Sequence, residues 1–214
     1  TINLIGCQKT DEIDVNNTEE QIAESIDLKK DSIENILLTY NEQGMKLLKA
    51  YYPDTESMEI ALRNIGNTLS DLKLKDINGL EVSINKYKGK KVVFEVMQDS
   101  CEYCKASTSA IDSEIKKRED VIVVPIFLNS TKEGIEQFYN EVGIEKPKEI
   151  WIDDNKDIAK EFNLTKTPAL IFVDENGKIS LIKQQDYDEV TIKDDLIVAF
   201  DNEKLYNMKI NNNK

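Results

Sequence analysis

The sequence predicts an α/β protein: a central mixed β-sheet flanked by helices, with a helical appendage on its N-terminal side. Three observations predict it. Two apolar runs, 91–97 and 121–128, read as strands, and the near-continuous run 91–97 has the character of a central strand buried on both faces. Segments whose apolar residues recur at helical spacing separate and follow those runs. Late in the chain, 169–173 and 178–182 flank Glu175-Asn176-Gly177, a turn sequence that makes these two strands an antiparallel hairpin. Parallel units closed by a hairpin give a mixed sheet.

In chain order, residues 32–52 place Ile33, Ile36, Leu37, Tyr40, Leu47, Leu48 and Tyr51 on one broad helical face. Gly44 is the expected break. Pro53 is the expected stop, because the residue before a proline is pushed away from α geometry. Residues 55–65 predict a second helix with Met58, Ala61, Leu62 and Ile65 inward. An apolar stripe at this spacing is core more often than a docking face, so the two helices are expected to cap the main domain. Residues 71–77 alternate polar and apolar, Asn78-Gly79 is a hairpin turn, and 81–84 returns as the second strand. Helices are expected at 106–118, 131–142, 157–162 and 189–205, with a short strand at 150–152. The expected organisation is a residual signal peptide over 1–7, a tether over 8–31, a helical appendage over 32–65, the main domain over 66–208, and a disordered tail over 209–214.

Composition removes several functions. The 214 residues carry a formal net charge of −13, which opposes nucleic-acid binding and attraction to anionic lipid. The chain has no His, so Ser-His-Asp and Cys-His catalysis and His-based metal sites are excluded. No apolar run approaches the roughly 18–20 residues of a membrane span. Of the three cysteines, Cys7 lies in a polar N-terminal stretch, which leaves Cys101 and Cys104 to carry any sulfur chemistry.

Ser100-Cys101-Glu102-Tyr103-Cys104 stands between the apolar strand 91–97 and a helical segment. Two thiols three positions apart at such a turn can close a small ring and open it again. Cys101 at the helix N-terminus would feel free N–H groups and the positive dipole end, which favour the thiolate that attacks disulfides. Half a zinc site and a purely structural disulfide are the alternatives; structural zinc takes four Cys or His ligands. Glu95 interrupts the apolar strand six residues before Cys101, on the face of Val93 and Met97. A carboxylate there is unfavourable unless paired or protonated, and burial should raise its pKa. An edge-facing or Lys-paired Glu95 is the alternative.

Leu4-Ile5-Gly6-Cys7 resembles the lipobox of bacterial lipoproteins, with polar, acidic residues 8–30 behind it. That resemblance implies cleavage before Cys7 and lipidation of its thiol. Two acyl chains suffice for stable anchoring.

From 66 to about 200 the chain resembles the thioredoxin superfamily, and within it the membrane-tethered TlpA/ResA type of thiol-disulfide oxidoreductase. The motifs are the hairpin 71–84, the strand followed by Cys101-Glu102-Tyr103-Cys104, Thr167-Pro168 before 169–174, and Glu175-Asn176-Gly177-Lys178. The resemblance implies a redox-active Cys101–Cys104 disulfide with no other cofactor and no metal. It implies a cis Pro168 facing the dithiol, with Thr167, Pro168, Glu102 and Tyr103 contacting substrate, and Glu95 as proton acceptor for Cys104. It implies disulfide-containing protein substrates, a membrane thiol electron donor of the CcdA type, and a lipid anchor at Cys7 on the extracytoplasmic face of a bacterial cell membrane. Two features depart from the family: Ser100 stands where Trp is usual, and the dipeptide Glu102-Tyr103 replaces Gly-Pro or Glu-Pro. The charge of Glu102 disfavours the thiolate and leans toward a reductant, against the helix dipole. Disulfide formation or isomerisation in secreted proteins, and a non-enzymatic accessory role, are the other readings. Copper delivery in related folds uses His, and peroxidase chemistry needs a lone activated Cys in a different setting.

Overall fold

The computed structural model describes residues 37–52 and 54–210. Cys7, the tether, Ile33, Ile36, Pro53 and residues 211–214 lie outside the described residues. Among those described, seven strands build one sheet: β1 (Lys73–Asp76), β2 (Glu81–Ser83), β3 (Lys91–Met97), β4 (Val121–Leu128), β5 (Trp151–Asp153), β6 (Ala169–Val173) and β7 (Ile179–Gln184). Their spatial order is β2-β1-β5-β4-β3-β6-β7. The helices are α1 (Glu42–Tyr51), α2 (Thr55–Asn64), α3 (Glu102–Ile115), α4 (Lys132–Val142), α5 (Asp157–Glu161) and α6 (Glu189–Leu196).

β3 is the spine. It runs parallel to β4 and antiparallel to β6, and every residue from 92 to 97 is buried. That double burial is why its sequence does not alternate. β4 tolerates Pro125 because β5 begins opposite Ile126, so one side of β4 has no strand neighbour at the proline. α3 packs against α4 and α6, and Ser107 Oγ accepts from the Tyr187 N–H at 2.9 Å, tying α3 to the loop before α6.

Several boundaries differ from expectation. The helix read over 32–52 is interrupted: Leu37 and Leu38 are helical, and a new helix starts at Glu42, capped by Asn41, whose side chain accepts from the Gly44 N–H. The break therefore falls before Asn41, where Tyr40 pairs with Lys209. Gly44 sits inside α1, and a Cβ there would meet Met208 Cβ at 2.9 Å. The closing helix stops at Leu196 and continues as a π turn, Ile197–Asp201, and a 3₁₀ turn, Leu205–Met208. Its apolar face runs on without a break, so periodicity alone does not mark the change. β7 extends to Gln184, two residues beyond the expected end. Lys209, expected in the disordered tail, is ordered, with its Nζ donating to the Ile65 carbonyl at 2.9 Å.

The appendage covers a sheet edge. α2 packs on β7. The Tyr52 hydroxyl donates to the Ile182 carbonyl at 2.8 Å, and the Gly66 N–H donates to the Ile179 carbonyl at 2.8 Å. An edge strand otherwise presents a row of unpaired backbone groups. Gly66 has φ +87, a backbone conformation that favours glycine. Behind β7, buried Lys183 pairs with buried Asp195 of α6 at 2.8 Å. Tyr52→Phe leaves the buried Ile182 carbonyl without that donor and should destabilise the fold by about 1–2 kcal/mol, read as a lower urea midpoint at unchanged m-value.

Candidate active site

The strand-to-helix turn after β3 holds the two sulfurs. Cys101 is the N-cap of α3, in extended backbone conformation, and its Sγ accepts from the Cys104 N–H at 3.1 Å. The helix begins at Glu102, four residues before the expected start at 106, and ends at Ile115 instead of 118. Its first turn carries exposed Glu102 and Tyr103, which are invisible to hydrophobic periodicity, and sulfur fills the capping position usually taken by Ser or Asp.

Cys101 and Cys104 form a disulfide with Cα atoms 5.2 Å apart. The two sulfurs differ in access. Cys104 is 0% exposed and packs in a cluster with Met97, Phe127, Ile135 and Phe138, whereas Cys101 is only half-buried. An incoming sulfur can therefore reach Cys101 alone. Thr167 lies beside it, with its carbonyl oxygen 3.8 Å and its hydroxyl oxygen 3.6 Å from Cys101 Sγ. The Thr167-Pro168 peptide bond is cis, and Pro168 is buried.

Glu95 is 2% exposed. The Thr108 hydroxyl donates to its Oε1 at 2.6 Å, and among the described residues no lysine pairs with it. Burial pushes the carboxyl up from 4.5 to about 8; the Thr108 hydrogen bond opposes the rise and the Asp112 charge adds to it. Thr108 follows Cys104 by about one helical turn, so Glu95 is hydrogen-bonded to the same helix that carries the buried sulfur. A cavity of about 250 Å³, lined by Glu95, Thr108, Asp112, Pro125 and Tyr139, lies beside this acid.

On the outer side, Glu102 pairs with Lys105 at 2.6 Å, and Lys105 also pairs with Glu141 of α4 at 2.5 Å. They border a groove of about 470 Å³ together with Asp99, Ser100 and Gln137. Tyr103 is 66% exposed in the first turn of α3. The structure thus gathers Cys101, Cys104, Thr167, Pro168, Glu102 and Tyr103 around one turn and sets Glu95 beneath it through Thr108; Cys7 lies outside the described residues. Sequence reasoning missed Thr108, although its spacing of four from Cys104 was a usable signal. It also missed the Lys105–Glu141 pair, which links two helices and leaves no local signal. Among the described residues, no group of three or more His, Cys, Asp or Glu side chains could hold a metal ion.

Two sulfurs of unequal access on this sheet define the class: the protein is a thiol-disulfide oxidoreductase of the thioredoxin superfamily, of ResA-like type. The chain belongs to the AhpC/TSA family, whose model matches residues 65–182. It is similar to the thiol-disulfide oxidoreductase ResA of Geobacillus kaustophilus, 25% identical over 130 residues that span 60% of this chain and 72% of that protein. Two solved structures share the fold. One is a thiol:disulfide interchange protein of the thioredoxin family from Chlorobium tepidum, at TM-score 0.52 and 15% identity, covering 63% of this chain and 96% of that one. The other is a secreted Mycobacterium tuberculosis disulfide oxidoreductase, at TM-score 0.51 and 14% identity, covering 58% and 92%.

Proposed function

We propose that the protein reduces disulfides of exported proteins through Cys101 and Cys104, with Glu95 moving the proton. The observation that carries this reading is the half-buried Cys101 sulfur beside the Thr167 carbonyl, with Cys104 wholly buried behind it. The Cys101 thiolate attacks one sulfur of a substrate cystine, forms a mixed disulfide and releases the other sulfur as a thiol. Cys104 gives its proton to the Glu95 carboxylate and attacks Cys101 Sγ. The second substrate thiol leaves, the Cys101–Cys104 bond forms, and two electrons have passed to the substrate. An apolar cluster disfavours the Cys104 thiolate, which is why this step needs a base close by. When a donor dithiol reopens the bond, Glu95 carries a proton near neutral pH and can return it to the departing Cys104 sulfur.

Thr167 and Pro168 offer the backbone edge to an extended substrate segment, and Glu102 and Tyr103 line its approach. The reducing direction is supported by charge: Glu102 and Glu141 pair with Lys105, and Asp99 lines the same groove, in which Lys105 is the one cation among the described residues; surplus negative charge opposes the thiolate that a strong oxidant stabilises. The organisation we propose is the tether over 8–31, the appendage over 32–65 and the redox domain over 66–208. Cys7 would carry the lipid, placing the domain outside the cell membrane, with electrons from a membrane thiol carrier of the CcdA type. Leu4-Ile5-Gly6-Cys7 supports the anchor, and a location outside the cell is in keeping with the M. tuberculosis protein of similar fold, which is secreted. Among the described residues, no helix is long and apolar enough to cross a membrane.

Redox titration of the purified protein against defined dithiol buffers tests the direction. A potential near about −270 mV is expected; one near about −120 mV would assign the protein to disulfide formation instead.

A further inference from the structure

Gln184 ends β7, opposite Ala169 of β6, and is 4% exposed. A buried primary amide is unfavourable unless its polar atoms find partners. Here they all point at one short segment. Gln184 Oε1 accepts from the backbone N–H groups of Thr165 at 2.9 Å and Lys166 at 3.3 Å, and Nε2 donates to Thr165 Oγ1 at 2.8 Å. Thr165 Oγ1 donates onward to Glu56 Oε1 at 2.7 Å, and Glu56 Oε2 lies 3.7 Å from Lys166 Nζ. Glu56 stands in the first turn of α2. The next residue along the segment is Thr167, whose carbonyl faces Cys101 Sγ at 3.8 Å.

The segment between α5 and β6 is therefore held from two sides, by the end of the sheet and by the appendage. We propose that Gln184 and Glu56 are positioning residues for substrate capture: they fix residues 165–167 so that the Thr167 backbone edge stands ready for an extended cystine-bearing peptide. The appendage then serves the reaction as well as the edge of β7. This inference rests on the reading that the edge at Thr167 receives the substrate.

The test is steady-state reduction of a disulfide-containing peptide by the full chain. It is run against the same peptide N-methylated at the residue flanking its first cysteine, which removes one backbone donor. Gln184→Met keeps the volume and removes the amide. It should raise KM about 10-fold with kcat within about 2-fold, and Glu56→Ala should raise KM about 3-fold, as expected for lost hydrogen bonds that position and do not react. Glu56→Gln, which retains an acceptor for Thr165, should return KM to within about 1.5-fold of wild type. Opening of the Cys101–Cys104 bond by a small thiol should proceed at the same rate in all variants, because it needs no backbone edge. Glu56 is exposed, so its variants keep the test available if Gln184→Met folds poorly. Unchanged KM in Gln184→Met and Glu56→Ala, with N-methylation still weakening the wild type, would overturn the inference and leave the substrate edge standing. A wild type indifferent to N-methylation would overturn the substrate edge, and the inference with it.

Discussion

Cys101→Ser will lose reduction of a protein disulfide by at least about 10³-fold, the scale of removing a nucleophile. Cys104→Ser will instead stop after the first step, holding substrate in a mixed disulfide with Cys101 and releasing one equivalent of substrate thiol. The asymmetry follows from access. Cys101 is half-buried at the head of α3, while Cys104 is 0% exposed among Met97, Phe127, Ile135 and Phe138. Only Cys101 can meet an external sulfur, and only Cys104 can resolve the intermediate from behind. Turnover with insulin as substrate, with non-reducing electrophoresis of the trapped species, checks both. Wild-type turnover by either variant would end the mechanism.

Glu95→Gln should separate catalysis from stability in opposite directions. The buried carboxyl titrates at about 8 against 4.5 for the ordinary group. Below pH 4.5 the folded and unfolded chains both hold this proton, and the residue is neutral for stability. As pH rises from 4.5 toward 8, the unfolded chain releases the proton and the folded chain keeps it, so stability falls. Above 8 the loss levels off, at an order of magnitude of about 4–5 kcal/mol. Glu95→Gln removes this dependence. It should unfold like wild type at pH 4 and at higher denaturant than wild type at pH 9. The same substitution removes the proton acceptor, so resolution of the mixed disulfide should slow by roughly 10²-fold and lose its inflection near pH 8. Denaturant melts across pH and single-turnover release of the second substrate thiol measure the two halves. A variant that resolves as fast as wild type would leave Glu95 a purely structural acid.

What the sequence revealed and what it withheld have physical reasons. β3, β4 and β6 fall where their apolar runs lie, since a doubly buried strand writes its whole length in Val, Ile, Leu and Phe. Cys101 and Cys104 were legible because sulfur is scarce here, and Thr167-Pro168 because the strand follows it directly. The start of α3 was hidden by a solvent-facing first turn, and the end of α6 by an apolar face that runs unbroken into a π turn. Glu95 announced itself as a charge in an apolar strand. Its hydroxyl partner Thr108 and the amide of Gln184 did not, because an ordinary polar residue shows its partners only after the chain has folded.

The two rims of the sheet have a consequence for how such a protein would handle its clients. β2 is only three residues long, and β7 is shielded by Tyr52 and the stretch around Gly66. Neither rim offers an unfolded polypeptide a long open ladder to join. On the proposed function, a loosely folded client is steered away from decoy pairings at the periphery and toward the bend where electrons can be exchanged.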